Sequence, residues 1–156
     1  FKRKKNIRIG ITRAGNVIGG GDWSQDRVVP DCFKSWSSNK KVIIRSPYST
    51  RPWQHVLEVL SGYLILAKKL NERDDLNGEA FNFGPKNSQD KTVKDVILEI
   101  KKHLPTFKWI VKKKKLFSES KLLKLNSSKA MKKLKWSNKL SFYETLKMTT
   151  YWYEAF

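Results

Sequence analysis

Four glycines crowd the stretch from Ala14 to Gln25, three of them consecutive at Gly19–Gly21, and they follow directly on the apolar alternation of residues 7–12. Neither helix nor strand sustains that density of glycine, because each one ordered in a regular element gives up more backbone freedom than any other residue. The chain must therefore leave a strand at its carboxyl end and cross a loop of nearly bare backbone. Open α/β sheets place their ligands at that point. Backbone can approach a bound group closely there, and the Asn16 carboxamide can both donate and accept. A phosphorylated ligand suits such a loop, although the Gly-x-Gly-x-x-Gly dinucleotide fingerprint does not occur in the chain.

Periodicity organises the remainder. Residues 7–12 read as a short buried strand in which Gly10 permits close packing. Val28, Val29, Cys32, Phe33 and Trp36 fall at helical spacing, which predicts an amphipathic helix from Arg27 to Ser38 with Pro30 in its first turn. Residues 42–44 read as a strand and residues 46–50 as a turn. A helix follows with Leu57, Leu60, Leu64, Ala67 and Leu70 on one face, broken at residues 74–78. Residues 80–83 form a strand, Thr92 caps a helix burying Val93, Val96, Ile97 and Ile100, and residues 107–111 form another strand. A short basic helix spans Ser128 to Leu134, and Ser141 with Glu144 makes a capping box for the last helix. This order predicts an α/β class: an α/β remnant joined to a small mixed lobe. The chain opens at Phe1 and enters an apolar strand almost at once, so it reads as a cut through a longer protein.

Charge narrows the partners less than it first suggests. The formal net charge is +19, and residues 101–156 alone carry 15 basic against 3 acidic side chains. Such a field attracts polyanions. The excess is mostly Lys spread over helix faces, no nucleic-acid-binding signature accompanies it, and a solvated surface is the better reading. A basic nucleic-acid-binding module is the alternative. Cys32 is the single cysteine, which excludes a disulfide framework and a cysteine metal site and points to a reducing, cytoplasmic setting. No metal-ligand spacing occurs, and no apolar run reaches the roughly 20 residues of a membrane span.

Two further strings carry candidate binding groups. In Arg51-Pro-Trp-Gln-His-Val-Leu-Glu58, the Arg51 guanidinium could clamp a diphosphate as a planar fork, or pair on the surface with Glu58 or Asp22. His55 sits among apolar neighbours and reads as a structural histidine. In Phe81-Asn-Phe-Gly-Pro85, a polar Asn82 between strand aromatics needs a partner, either a ligand or a backbone group.

Taken in order, Thr12-Arg-Ala-Gly-Asn-Val-Ile-Gly-Gly-Gly-Asp-Trp23, residues 51–58 and residues 78–85 resemble the extended short-chain dehydrogenase/reductase family. The resemblance is to the branch of NAD-dependent nucleotide-sugar dehydratases that acts on CDP-glucose, and it spans nearly the whole chain. It implies the C-terminal part of a Rossmann-type NAD-binding fold plus a small mixed α/β substrate-binding lobe. Residues 1–25 would hold the final Rossmann-type strand and ligand loop, and residues 26–156 the lobe, with 79–84 returning to the Rossmann sheet.

The implied activity is a lyase reaction, in which oxidation at C4, loss of water across C5–C6 and return of hydride to C6 give CDP-4-keto-6-deoxyglucose for surface-polysaccharide (O-antigen) biosynthesis. The resemblance gives Asn16 and Asn82 to the diphosphate and its surroundings, and Arg51 to the clamp. Arg27 and Pro30 border the nucleotide, Ile43 and Arg45 lie in the base pocket, and Glu119 near the sugar. Arg13 and Ala14 fall near the nicotinamide. No catalytic residue is assigned within the chain, which is expected to be inactive alone, and the full-length enzyme is expected to be a homo-oligomer. Near Glu119, Ser118 and Lys121 stand where the family has a histidine. Another nucleotide-sugar dehydratase or epimerase of the same superfamily is the remaining alternative.

Overall fold

The structure, a computed structural model, describes residues 7–85, 91–112 and 125–156. Six short strands and four helices alternate along it: β1 (Ile11–Ala14), β2 (Val17–Ile18), α1 (Val28–Ser37), β3 (Val42–Ile44), β4 (Gln54–His55), α2 (Val56–Glu72), β5 (Ala80–Phe83), α3 (Val93–His103), β6 (Trp109–Val111) and α4 (Phe142–Ala155). The strands pair in parallel as β1–β5, β2–β4 and β3–β6. Parallel pairing requires long crossovers, and the helices between the strands supply them. A 3-10 turn at Asp74–Leu76 ends the α2 segment, and a π-helical turn at Ala130–Leu134 lies within the predicted basic helix.

Two separate apolar cores result. The larger gathers Val29, Cys32 and Phe33 of α1, Val42 and Ile44 of β3, Val96, Ile97 and Ile100 of α3, and Leu146 and Tyr153 of α4. The smaller gathers Leu66, Leu76, Phe81, Phe83, Leu134 and Trp136. The capping box expected at Ser141 forms, its hydroxyl accepting from the Glu144 amide, and Thr92, expected as a cap, also makes a box, accepting from the Asp95 amide. Each cap satisfies an amide that the helix start would otherwise leave unpaired.

Two expectations require correction. The first strand begins at Ile11, not Ile7, and Ile7, Ile9 and Ile11 are exposed rather than buried. Among the described residues β1 pairs with β5 alone, so nothing covers its outer side. On α2, Leu57, Leu60 and Leu64 face outward, while Glu58, Val59, Gly62 and Leu66 are buried. This helix is apolar on nearly every side, so the helical period could not choose its inner face. Contact with Phe83 and Trp136 chooses it.

Gly62 shows how close that contact is. A Cβ there would stand 2.4 Å from the Phe83 ring, itself fully buried and edge-on to Tyr63 and Trp136. Alanine would gain about 1 kcal/mol of helix propensity. Forcing extra volume into a packed core costs about 1–3 kcal/mol, and the rigid ring has nowhere to retreat. Gly62→Ala is therefore expected to destabilise the chain by about 1 kcal/mol, seen as a lowered urea midpoint. A raised midpoint would show that α2 can move away from the sheet.

Candidate functional site

Pairing of β2 with β4 fixes the glycine-rich loop from below. Val17 and Ile18 lie in register with Gln54 and His55, and the Gln54 amide donates to the Asn16 carbonyl at 3.1 Å. From above, the end of α4 closes on the loop. The Tyr153 hydroxyl donates to the Asp22 carbonyl, and the Trp152 ring lies where a Cβ at Gly20 would be, 2.2 Å away. Gly21 has φ +80°, a conformation that side-chain-bearing residues avoid. The loop is held open between these supports.

Beneath it lies a cleft of about 600 Å³ at the carboxyl end of β1. Ala14, Asn16, Arg27, Pro30 and Arg51 line it together, joined by Asp22, Asp26, Val28 and Trp53. The amino end of α1 opens onto it, bringing the positive end of the helix dipole and first-turn amides. A smaller recess of about 190 Å³ continues from the cleft, sharing Asp26, Val28 and Val93, and is lined by Ile43 and Arg45. Ten residues were expected at the site from sequence, and seven of them fall in this pair of connected cavities.

The other three do not. Asn82 lies on β5 in register with Arg13 on β1, and neither lines the cleft. The Asn82 amide donates to the Asn126 carbonyl at 3.2 Å, while its Oδ1 is buried with no partner among the described residues. Glu119 lies outside the described residues.

Charge in the cleft is arranged in pairs. Asp22 accepts from the Ser24 amide at 3.0 Å and meets the Arg27 guanidinium at 3.3 Å. Burial opposes its ionisation, but the Ser24 hydrogen bonds and the Arg27 charge outweigh burial and hold the carboxyl below the ordinary range. Asp26 meets Arg45 at 3.0 Å. Arg51 Nη1 donates to the Thr50 carbonyl at 2.8 Å. The ion pair suggested by sequence between Arg51 and Glu58 is replaced by a different arrangement. Glu58 is buried, and its Oε1 accepts from the Lys139 and Leu140 amides at 2.7 and 2.6 Å. Tyr153, desolvated and facing the Asp22 charge, is pushed up to about 12.

Sequence reading passed over several of these groups. The sequence offers Asp22 as a possible ion-pair partner and assigns no role to Asp26, Trp152 or Tyr153. Sequence reading also passed over Tyr143 and Lys147, a tyrosine and a lysine four positions apart in the first turns of α4. Tyr143 opens on a separate cavity of about 390 Å³, where its hydroxyl accepts from Lys91, and Lys147 is exposed. Neither lines the cleft. Among the described residues the cleft is lined by no histidine, cysteine, lysine or glutamate, and no metal-binding cluster occurs. Its lining sets two guanidinium groups and two carboxylates beside an apolar wall.

Comparison with known proteins bears on that chemistry. No family model matches the chain. It is 41% identical over 150 residues to CDP-glucose 4,6-dehydratase of Salmonella typhimurium, a match covering 96% of this chain and 42% of that protein. The chain is a sequence relative of the nucleotide-sugar dehydratases. It spans less than half the length of the curated relative it matches.

Solved structures agree on the fold. UDP-glucuronic acid 4-epimerase from Bacillus cereus superposes with a TM-score of 0.79 at 21% identity, covering 96% of this chain and 46% of that one. dTDP-glucose 4,6-dehydratase from Bacillus anthracis gives 0.75 at 22%, with coverages of 94% and 44%. UDP-glucose 4-epimerase from Thermotoga maritima gives 0.80 at 21%, with coverages of 99% and 48%. The mixed α/β architecture with parallel strands is therefore the one found in these Rossmann-type enzymes. No helix among the described residues is long and apolar enough to cross a membrane.

His55 links the loop to α2. It is buried, and its Nδ1 accepts from the Leu57 amide at 3.3 Å as the cap of that helix. Accepting there requires a neutral ring, and burial lowers its pKa from 6.5 against the opposing pull of Glu58. Below about pH 6.5 the unfolded chain takes up a proton that the folded chain refuses, so stability falls as pH drops through that window and is complete above it. Urea midpoints at about pH 7.5 and about pH 5.5 should differ accordingly. His55→Asn keeps an accepting cap without titrating and should reduce that difference. An equal difference in the variant would remove His55 as its source.

Proposed function

We propose that the chain forms the nucleotide-sugar-binding part of an NAD-dependent CDP-glucose 4,6-dehydratase. The observation that carries this reading is the meeting of Arg51, Arg27 and Asn16 around one cleft, at the carboxyl end of β1 and the amino end of α1. A pyrophosphate placed there would find two guanidinium forks, a carboxamide and first-turn amides, the donor set its oxygens require. Identity of 41% with a CDP-glucose dehydratase supports the choice of substrate among nucleotide sugars.

Within that enzyme the roles divide by residue. Arg51 clamps the diphosphate, Asn16 holds diphosphate or sugar, and Arg27 with Pro30 borders the nucleotide. Ile43 and Arg45 lie along the base. Asn82 carries a buried Oδ1 without a partner among the described residues, as a group awaiting a ligand hydroxyl would. Glu119 is assigned to the sugar on the resemblance alone. NAD, when bound, supplies the hydride chemistry, accepting at C4 and returning at C6 of the sugar. Ala14, small and half-buried at the end of β1, leaves room beside the cleft for a flat ring, and Arg13 precedes it. What this chain does in the reaction is to bind and orient the substrate and exclude water from its phosphates. A homo-oligomeric assembly, a cytoplasmic location and a place in surface-polysaccharide (O-antigen) biosynthesis complete the proposal.

Arg51→Ala is expected to weaken CDP-glucose binding by about 2–3 kcal/mol, as for the loss of a charge-assisted clamp. Isothermal calorimetry measures this directly. Unchanged affinity would remove the clamp from Arg51 and with it the main support for this placement of the diphosphate.

A further inference from the structure

The recess beyond the cleft is walled by α1 on one side and the β3 strand on the other. Val28, Val42 and Val93 give it apolar sides, and it holds two carboxylates, Asp26 and Asp31. These differ in what they touch. Asp26 is committed to Arg45 at 3.0 Å. Asp31, half-buried in the first turn of α1, receives no hydrogen bond and forms no ion pair with any described residue. Burial raises its pKa, and the charge of Lys34 pulls the other way. A part-buried, acceptor-only group with no donor among the described residues, placed in the wall of the recess, can accept one from a ligand.

Pyrimidine bases differ at one corner in just this respect. Cytosine carries an exocyclic amine there, and uracil and thymine carry a carbonyl oxygen. We infer that Asp31 is a specificity-determining residue that selects cytosine nucleotides by accepting a hydrogen bond from the exocyclic amine of the base. Against uracil or thymine, the same carboxylate would face a second acceptor with no proton between them, and that repulsion excludes the wrong base as effectively as the hydrogen bond retains the right one. The inference rests on the functional reading above and adds to it a residue that chooses the base.

The bland role for an acidic residue at this position is to stabilise the positive end of α1. That role would change the affinity for every nucleotide alike and leave their ratio untouched. The test is calorimetric titration of the chain with CDP, UDP and dTDP, before and after Asp31→Asn. The unaltered chain should prefer CDP by roughly tenfold or more, the range a matched base contact confers. The carboxamide can donate as well as accept, so Asp31→Asn should bring the three affinities to within about threefold of each other. Asp31→Ser, a residue favoured at helix starts, makes the same measurement should the carboxamide disturb folding. Equal affinities in the unaltered chain, or a preference that survives both substitutions, would overturn the role of Asp31 while leaving the cleft as a nucleotide site. Failure of all three nucleotides to bind would overturn both.

Discussion

One hydrogen bond, from the Tyr153 hydroxyl to the Asp22 carbonyl, joins parts of the chain that 131 residues separate. Asp22 lies in the glycine-rich loop and Tyr153 near the end of α4. The Tyr153 ring stacks on Phe33 of α1 at 4.0 Å and meets Trp23 edge-on at 5.1 Å. Loop, first helix and last helix are thus gathered around one aromatic side chain. A glycine-rich loop has no side chains of its own with which to hold a shape, so its geometry must be imposed by neighbours. Here a tyrosine and a tryptophan from α4 impose it on one side, and the Gln54 amide on the other.

Arg27 of the cleft and Arg45 of the recess are positioned by a related device. Arg27 and Arg45 each rest against a loop carboxylate, Asp22 and Asp26, so their guanidinium planes are oriented before any ligand arrives. A fork already aimed loses less freedom when it binds an anion than one that must first be ordered. The Lys-rich composition contributes little to this. Among the described residues no lysine lines the cleft, and its two arginines are balanced by two aspartates, so they add nothing to the net charge of +19. In the proposed reading, local geometry more than overall charge suits the cleft to an anion.

Most of the regular structure was legible because its residues repeat. The periodicity around Val28–Trp36, the β-branched run at 42–44, and the capping residues Thr92 and Ser141 each correspond to an element in the structure. β2 and β4 were not legible, being two residues each and too short to show alternation. The inner face of α2 was not legible either, because tertiary contact with Phe83 and Trp136 decides it. Similar limits apply to the cleft. Asn16 and Arg51 could be picked out for their chemistry and Arg27 and Pro30 through family likeness, and all four line one cavity. Asp31 could not be distinguished from an ordinary first-turn acid, since the role inferred for it rests on its having no donor among the described residues. Glu58 was offered only as one of two possible surface partners for Arg51. Its true partners are backbone amides at Lys139 and Leu140, and nothing in the local sequence announces a bond across that distance.

The all-parallel pairing has a consequence for how this chain reaches its native state. Ile11 must find Ala80, and Val42 must find Trp109, before either ladder exists, and among the described strands no hairpin pairs consecutive ones. Contact order is accordingly high, and the entropy of closing long loops opposes the folding transition state until several strand pairs form together. Such a topology folds slowly for its size and leaves strand edges open during the search. The helices, capped by their own sequence, are the elements able to form first and to hold the strands near one another while that search proceeds.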